Sequence, residues 1–557
     1  MFKSLKINFR NKYILILILV LATFLRIWKL GDVPPSASMD EASIGYNAYS
    51  VSKIGVDEYG QFPLISQRAY DDWRRSTYLL LVVPFVRLLS LNVIAIRLPA
   101  VILSILTVYA AYRIVIFLFS KDSKYAESIA LLVTFLLAIS PWHIYISRLG
   151  HESNAYLSFF VFGVLFFLLG IKDKKNILFA IIFFILSMIS YYAGQILVPL
   201  FILGIMLIYR EFIINSLLKD KKMRVQLLLC ALVSIPIFWS IFSPAALTRF
   251  GGTSTFKPDA HPQEYAEMIN LRNKAAASHD IIGTVIYNRR LFPVRVFIEG
   301  YLSHFDPKWL FFNSYDEPFK VPRMGLLYLW ELPFILIGSF ALLFSKETDN
   351  RAKKLIFLWF FLAPFPASVA TQAPHAMRVY AFLPTWQIFT AFGLFFILNK
   401  LRGLKLLGFA AFLVIAIVSL QSFYRNYYII FPKEQSKSFE YALSHAIPAI
   451  VSKESSYNTI ILSNENNLYQ SYMLYLYYTR FDPLTYQRLG GTTSGGYAVT
   501  HKIGKYEFRP IVWNKERPLS KTLYAGNPQD FPKDISTLNT FYLLDGTAAV
   551  KLVSYPR

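Results

Sequence analysis

Long apolar runs, joined alternately by short basic connections and by polar loops, constrain this chain more than any motif in it. The first run, Tyr13 to Leu30, follows Lys3, Lys6, Arg10 and Lys12 and is about long enough to cross a ~30 Å hydrocarbon core. Leu30-Gly31-Asp32-Val33-Pro34-Pro35 offers no small-residue cleavage site, so the run reads as a retained signal anchor. Further runs lie near 93–119, 127–147, 154–171, 176–190, 195–210, 225–243, 326–345, 353–370, 377–398 and 404–424, which makes eleven with the first. A cytoplasmic N-terminus then places Lys121/Lys124, Lys172/Lys174/Lys175, Lys219/Lys221/Lys222/Arg224, Lys346/Arg351/Lys353/Lys354 and Lys400/Arg402/Lys405 in cytoplasmic loops. Each loop is short and rich in Lys and Arg, the pattern of the positive-inside rule. The external connections are loops 31–92 and 244–325, turns 148–153, 191–194 and 371–376, and a region from about 425. Tyr78 to Leu91 is also apolar, but it is short, contains Pro84 and Arg87, and would reverse the charge pattern as a span. A re-entrant or interfacial helix is expected there.

Composition agrees with a chain dissolved mostly in lipid: 55% of residues are apolar and 16% charged, against about 25% charged in an average soluble domain. Disorder, collagen and coiled coil are excluded on the same grounds. The single cysteine, Cys230, lies inside an apolar run and removes disulfide frameworks and Cys-based zinc sites. Most of the +23 net charge sits in cytoplasmic loops and interfacial positions, and so gives no indication of nucleic acid.

On the external side, residues that are expensive near a membrane collect together. The first loop contains Asp40-Glu41, Asp57-Glu58 and Asp71-Asp72-Trp73-Arg74-Arg75. The turns supply Arg148, His151 and Glu152, then Tyr192, then His375 and Arg378, and the second loop holds His304. Span-end residues of these types also snorkel or cap helices, and Asp40 is itself a candidate helix N-cap. Adjacent acids mixed with arginines fit chemistry better: a carboxylate deprotonates a hydroxyl or holds a divalent cation, and an arginine binds phosphate bidentately. Such a set facing a bilayer points to a lipid-phosphate substrate. No His pair has i,i+4 ligand spacing, so the histidines read as structural and a divalent metal, held with Glu41 or Asp72, stays open.

The run Met39-Asp40-Glu41-Ala42-Ser43-Ile44-Gly45-Tyr46-Asn47-Ala48-Tyr49-Ser50, followed by Gly55 to Gly60 and Phe62-Pro63-Leu64, resembles the first external loop of polyprenyl-phosphate-sugar-dependent glycosyltransferases of the GT-C class. Bacterial relatives of protein O-mannosyltransferases and of lipid A aminoarabinose transferases belong there. Arg97-Leu98-Pro99-Ala100, Ser140-Pro141-Trp142-His143 with Ser147-Arg148 and Glu152, and Pro374-His375-Ala376-Met377-Arg378 extend the resemblance over residues 10–424. It implies a GT-C catalytic domain over 1–424 and inverting transfer of a sugar from a lipid phosphate to a hydroxyl of a protein, lipid or glycan. It also implies Asp40 as base with Glu41 as its catalytic partner. Arg74 stands where many relatives have a phosphate-binding lysine, but the two prolines that follow that lysine are missing. Arg75 is therefore an alternative, with Arg148 and Arg378 assisting. Asp57, Glu58, Asp72, Glu152, Tyr192 and His375 complete the substrate-site candidates.

The second loop has the length of a lid or acceptor-binding element, with a helix-like Ala266 to Ala277 stretch and a surface-lying helix expected over Val294 to Phe312. Residues 425–557 turn mixed in composition. Thr459 to Leu462 and Phe541 to Leu544 read as buried strands, Tyr469 to Thr479 as a helix and Gly490 to Gly496 as a flexible turn. A small extracytoplasmic α/β domain is expected. A non-catalytic lipid-glycan flippase is the competing reading, disfavoured because no internal repeat occurs and the ionisable residues lie at span ends rather than the bilayer midplane.

Overall fold

The computed structural model describes residues 9–70, 72–119, 125–241, 243, 246, 251–312, 319–346, 348–493, 500–516 and 521–554. Lys3, Lys6, Asp71, Lys121, Lys124 and Ser494-Gly495-Gly496, all used in the sequence reading, lie outside the described residues.

All eleven apolar runs form helices. They are α1 (Phe9–Ile27), α4 (Val93–Leu118), α5 (Ala126–Ile139) with α6 (Pro141–Ser147), α7 (Glu152–Lys172), and helices Asn176–Ser190, Tyr192–Ile208, Lys221–Ile241, Glu331–Phe344, Asn350–Leu362, Thr385–Lys400 and Lys405–Tyr424. Between α1 and α4 lie α2 (Met39–Ile54), strands β1 (Ser66–Ala69) and β2 (Asp72–Arg75), and α3 (Thr77–Leu89). Among the described residues, four helices are individually long and apolar enough to cross a membrane: Val93–Leu118, Glu152–Lys172, Tyr380–Lys400 and Lys405–Gln435. Two bent pairs reach that length together, α5 with α6 at 56° and Tyr192–Ile208 with Arg210–Leu218 at 81°. Ser140 is extended ahead of Pro141, as a residue preceding proline prefers, and this breaks the α5–α6 pair. Asn176–Ser190 and Glu331–Phe344 are apolar but shorter. Lys405–Tyr424 exposes Leu406, Leu407, Val414, Ile417 and Val418, an apolar outer surface.

The chain divides into two compact units. The first comprises Met1–Ala22, Ile105–Ile146 and Tyr156–Ile417. Its core is aromatic: Phe160 meets Phe201 at 4.9 Å and Trp359 at 5.1 Å, both edge-on, the geometry that ring quadrupoles favour. The 244–325 loop is largely helical within it, over Pro262–Ala277, Ile281–Ile286, Phe292–Ser303 and Pro307–Phe311. The expected surface helix is thus two helices, the second opening at Pro307. On the first of them Val294, Ile298 and Leu302, spaced by four residues, form one exposed apolar face.

The second unit comprises Thr23–Ser104, Ser147–Ala155 and Val418–Arg557. It contains α2, the β1–β2 hairpin, α3 and a six-stranded mixed sheet from the C-terminal region. The strands are β3 (Thr459–Leu462), β4 (His501–Ile503), β5 (Tyr506–Phe508), β6 (Thr522–Gly526), β7 (Asn539–Tyr542) and β8 (Ala548–Ser554), in the order β4-β5-β3-β6-β8-β7. β3 runs parallel to both neighbours; the other pairings are antiparallel. Ile461, Ile511, Tyr524, Phe531 and Val553 form a core on this sheet. The helix expected over Tyr469 to Thr479 is Ser471–Thr479. Gly490 and Gly491 both take positive φ, which makes their stretch a turn that suits glycine.

Candidate active site

The acidic pair of the first loop is split between two environments by the start of α2. Ser38 is the N-cap, and it forms a capping box with Glu41: Ser38 Oγ accepts from Glu41 N at 3.3 Å, and Glu41 Oε2 accepts from Ser38 N at 3.0 Å. The cap is therefore Ser38 and not Asp40, whose carboxylate lies in the first turn with its side chain 39% exposed.

Glu41 is buried and saturated. Oε1 accepts from Arg97 Nε at 2.7 Å and Gly150 N at 2.8 Å, and Oε2 accepts from Arg97 Nη2 at 2.9 Å and from the Ser38 amide. A carboxylate has about four lone-pair sites, and all of them are in use. Burial pushes its pKa up, but the Arg97 charge and these hydrogen bonds outweigh that and hold it below the ordinary value. Arg97 is equally committed: Nη1 donates to Leu30 O and Pro34 O at 2.9 and 3.0 Å, and Nη2 also donates to Ser36 O at 2.7 Å. One arginine thus staples the 30–36 segment to the start of α2. Gly150 has no room for a side chain, since a Cβ would stand 2.4 Å from Ile96 Cγ2 and 3.3 Å from Glu41 Cγ.

Asp40 instead pairs with Arg74. The β1–β2 hairpin delivers that residue. Tyr70 at its tip adopts φ 54°, donates from its hydroxyl to Met39 O at 2.7 Å and lies under the Arg74 guanidinium at 5.7 Å. Alternation along a strand sends neighbouring side chains to opposite faces. Arg74 accordingly meets Asp40, while buried Arg75 donates to Ser66 Oγ at 3.0 Å on the paired strand. Burial disfavours the Arg74 charge, but Asp40 and then Glu152 more than compensate, so the guanidinium is held above its ordinary pKa. Its Nη1 is buried without a hydrogen-bond partner among the described residues. Glu152 opens α7, with its carboxylate 3.6 Å from His151 Nε2.

The other candidates separate by what holds them. Arg148 is not available for a phosphate. Nη1 donates to Leu25 O and Arg26 O at 3.2 and 2.8 Å, Nη2 to Lys29 O and Val33 O at 3.1 and 2.8 Å, and Nε to Tyr427 Oη at 3.2 Å. All five donors are spent on the carbonyls that close α1 and on one tyrosine. Asp57 is a loop former: Oδ1 accepts from Tyr59 N at 2.9 Å and Gln61 N at 3.0 Å. Burial raises its pKa against those bonds. Glu58 is buried, and its acceptors are met by neutral groups: Asn47 Nδ2 at 3.0 Å, Thr492 Oγ1 at 2.8 Å and Tyr472 Oη at 3.1 Å. Burial pushes its pKa up to about 7. Asp72 is exposed at the start of β2 and accepts from Trp73 N at 2.7 Å.

Tyr192, His375 and Arg378 belong to the other unit. There Trp142 Nε1 donates to Ala376 O at 3.2 Å and Arg378 Nη1 donates to Thr371 O. His304 Nδ1 donates to Gly300 O at 2.6 Å, which fixes its Nε2 as acceptor from His375 N at 3.3 Å. Burial, aided by Arg378, holds His304 neutral with a pKa near 4. Among the described residues no group of three or more His, Cys, Asp or Glu is placed to hold a metal ion.

Arg97, an arginine one turn into the apolar helix α4, carries a signal of its own that went unused. Tyr70, Asn47, Tyr472 and Thr492 carried no signal, because their partners are fixed only by tertiary structure.

No family model matches the chain, and neither does any curated protein sequence. Solved structures do. ArnT from Cupriavidus metallidurans, bound to undecaprenyl phosphate, aligns over 98% of this chain and 99% of its own at 10% identity with a TM-score of 0.52. The archaeal oligosaccharyltransferase AglB from Archaeoglobus fulgidus, in complex with an inhibitory peptide and a dolichol-phosphate, aligns over 84% of this chain at 13% identity and TM-score 0.48. This chain spans only 63% of AglB. The Saccharomyces cerevisiae protein O-mannosyltransferase Pmt1-Pmt2 complex, bound to the sugar donor, aligns over 43% of this chain and 34% of its own, at 16% identity and TM-score 0.33. These neighbours are GT-C glycosyltransferases, and the end-to-end likeness to ArnT establishes the GT-C fold for this chain.

Proposed function

We propose that this chain is a membrane glycosyltransferase that moves a sugar from a polyprenyl-phosphate carrier to an acceptor hydroxyl on the external face of the cell membrane. The observation that carries the reading is the Asp40–Arg74 pair: a partly exposed carboxylate bonded to a guanidinium whose Nη1 has no hydrogen-bond partner among the described residues. A buried unsatisfied donor costs about 1–3 kcal/mol, and a phosphate oxygen is the partner that guanidinium geometry suits best. The ArnT fold, in a protein whose structure holds undecaprenyl phosphate, supports the same donor class.

In this mechanism the donor phosphate engages Arg74 Nη1. The guanidinium then shares its field between phosphate and Asp40, so Asp40 gains basicity as the donor arrives. Asp40 accepts the acceptor's proton while the hydroxyl oxygen forms a bond to C1. The C1–O bond to phosphate breaks on the opposite side, and its electron pair leaves with the polyprenyl phosphate. Configuration at C1 inverts in this single displacement. Arg74 stabilises the departing charge, and no step is routed through a metal. Glu41, bonded to donors on every side, is a positioning residue that sets the α2 N-terminus carrying Asp40.

The test is release of polyprenyl phosphate from a panel of polyprenyl-phosphate sugars by the full chain in lipid nanodiscs, with protein, lipid and glycan hydroxyl acceptors. Wild-type release that collapses in Asp40→Asn supports the reading. No release from any donor sinks it in favour of a translocating protein.

A further inference from the structure

A second feature lies within the first unit, far along the chain from the first loop. Helices Glu331–Phe344 and Thr385–Lys400 touch at backbone level: a Cβ on Gly338 would stand 1.9 Å from Phe389 O, and one on Gly393 2.0 Å from Phe334 O. Past this glycine contact both helices carry large side chains, and their C-terminal halves line an open cavity of about 950 Å³. Phe340, Phe344 and Phe392 are among its lining residues, and so are Lys346, Lys400 and Lys405. Lys400 Nζ sits 4.8 Å over the Phe396 ring, and Lys405 Nζ donates to Asn399 Oδ1 at 3.2 Å. Among the described residues, none that lines it is acidic.

Lys400 ends its helix, where a lysine offsets the helix dipole. That role does not account for Lys405, which opens the next helix, or for Lys346 beside the same apolar hollow. These lysines also lie in the loops that the positive-inside pattern assigns to the cytoplasmic face. Basic pockets between membrane helices on that side hold anionic lipid headgroups. Acyl chains suit the aromatic lining, and a phosphodiester suits the lysines.

We propose that this groove binds one anionic phospholipid, its phosphate between Lys346, Lys400 and Lys405 and its chains over Phe340, Phe344 and Phe392. The site is independent of the sugar-transfer reading and stands or falls separately from it.

Native mass spectrometry of the delipidated full chain, offered equal phosphatidylglycerol and phosphatidylcholine, tests it. Wild type is expected to retain phosphatidylglycerol preferentially. Each lysine near a headgroup is worth about fivefold, so K346Q/K400Q/K405Q should lower that retention by roughly tenfold or more. Ala341→Trp keeps the charge but fills the groove, and should lose the lipid as well. Lys221→Gln/Lys222→Gln, in another basic loop, should retain it. Equal retention of the two lipids by wild type overturns the proposal without recourse to any variant. Full retention by a folded triple variant overturns the role of the lysines, and full retention by Ala341→Trp overturns the groove.

Discussion

Asp40 and Glu41 are neighbours in sequence, and exchanging each carboxylate for its amide should damage the protein in opposite ways. Glu41→Gln puts an NH₂ where the surrounding groups, Arg97 Nε and Nη2, Gly150 N and Ser38 N, all donate. The amide oxygen serves two of the four donors, and its nitrogen opposes the rest. Breaking a buried ion pair by removing one partner costs about 3–5 kcal/mol. Roughly 2–4 °C of melting temperature is lost per kcal/mol in a domain of 150–250 residues, so a fall on the order of 10 °C is expected. Asp40 is 39% exposed, and its ion pair with Arg74 is an arrangement worth about 1 kcal/mol or less. Asp40→Asn should therefore melt within about 2–4 °C of wild type, yet lose the ~10²–10⁴-fold that a general base supplies. Melting of the purified proteins beside donor turnover separates the two. A Glu41→Gln protein with wild-type melting and no turnover would refute the saturated-network argument and make Glu41 the base. Undiminished turnover in Asp40→Asn would remove Asp40 from the chemistry.

Three further outcomes are expected. Arg148→Met strands four carbonyls at the end of α1, so melting should fall by the equivalent of roughly 3 kcal/mol with donor KM unchanged. Arg74→Ala should do the reverse, raising donor KM at least tenfold with little change in melting. For Glu58, the folded pKa of about 7 lies above the ordinary 4.5. The folded state therefore binds the proton more tightly, and its contribution is full below 4.5 and lost as pH rises through 7. Chemical or thermal denaturation should show wild type losing on the order of 3 kcal/mol across that window, and Glu58→Gln should flatten the loss. His304 has the opposite sign: its pKa falls from 6.5 to about 4, so its stabilisation is present above 6.5 and lost as pH falls through 4. His304→Gln should abolish that acid-side loss in the same titration.

The helices were legible in the sequence because burial in lipid demands continuous apolar runs, and each of the eleven runs yields one. Their bends were not: Pro141 marks a break, but the 56° angle depends on what packs around it. In the site, the acids and arginines were legible as a group but not their pairings. Arg74 and Arg75 look interchangeable in the sequence and part company only because a strand alternates. Arg148 looked like a phosphate ligand because its five carbonyl and hydroxyl partners lie more than a hundred residues away. Charge in a sequence marks where an interaction occurs, and only the fold names the partner.

Glu58 joins the first loop to the far end of the chain, since its hydrogen-bond donors Tyr472 and Thr492 follow it by 414 and 434 residues. Ribosomes add about 5–20 residues per second, so this carboxylate waits roughly 20–90 s for the groups that bury it. Throughout synthesis the segment bearing Asp40 stays unfinished, and a chain stopped early never completes it. Burial of the Glu58 carboxylate thereby requires that translation has passed Thr492.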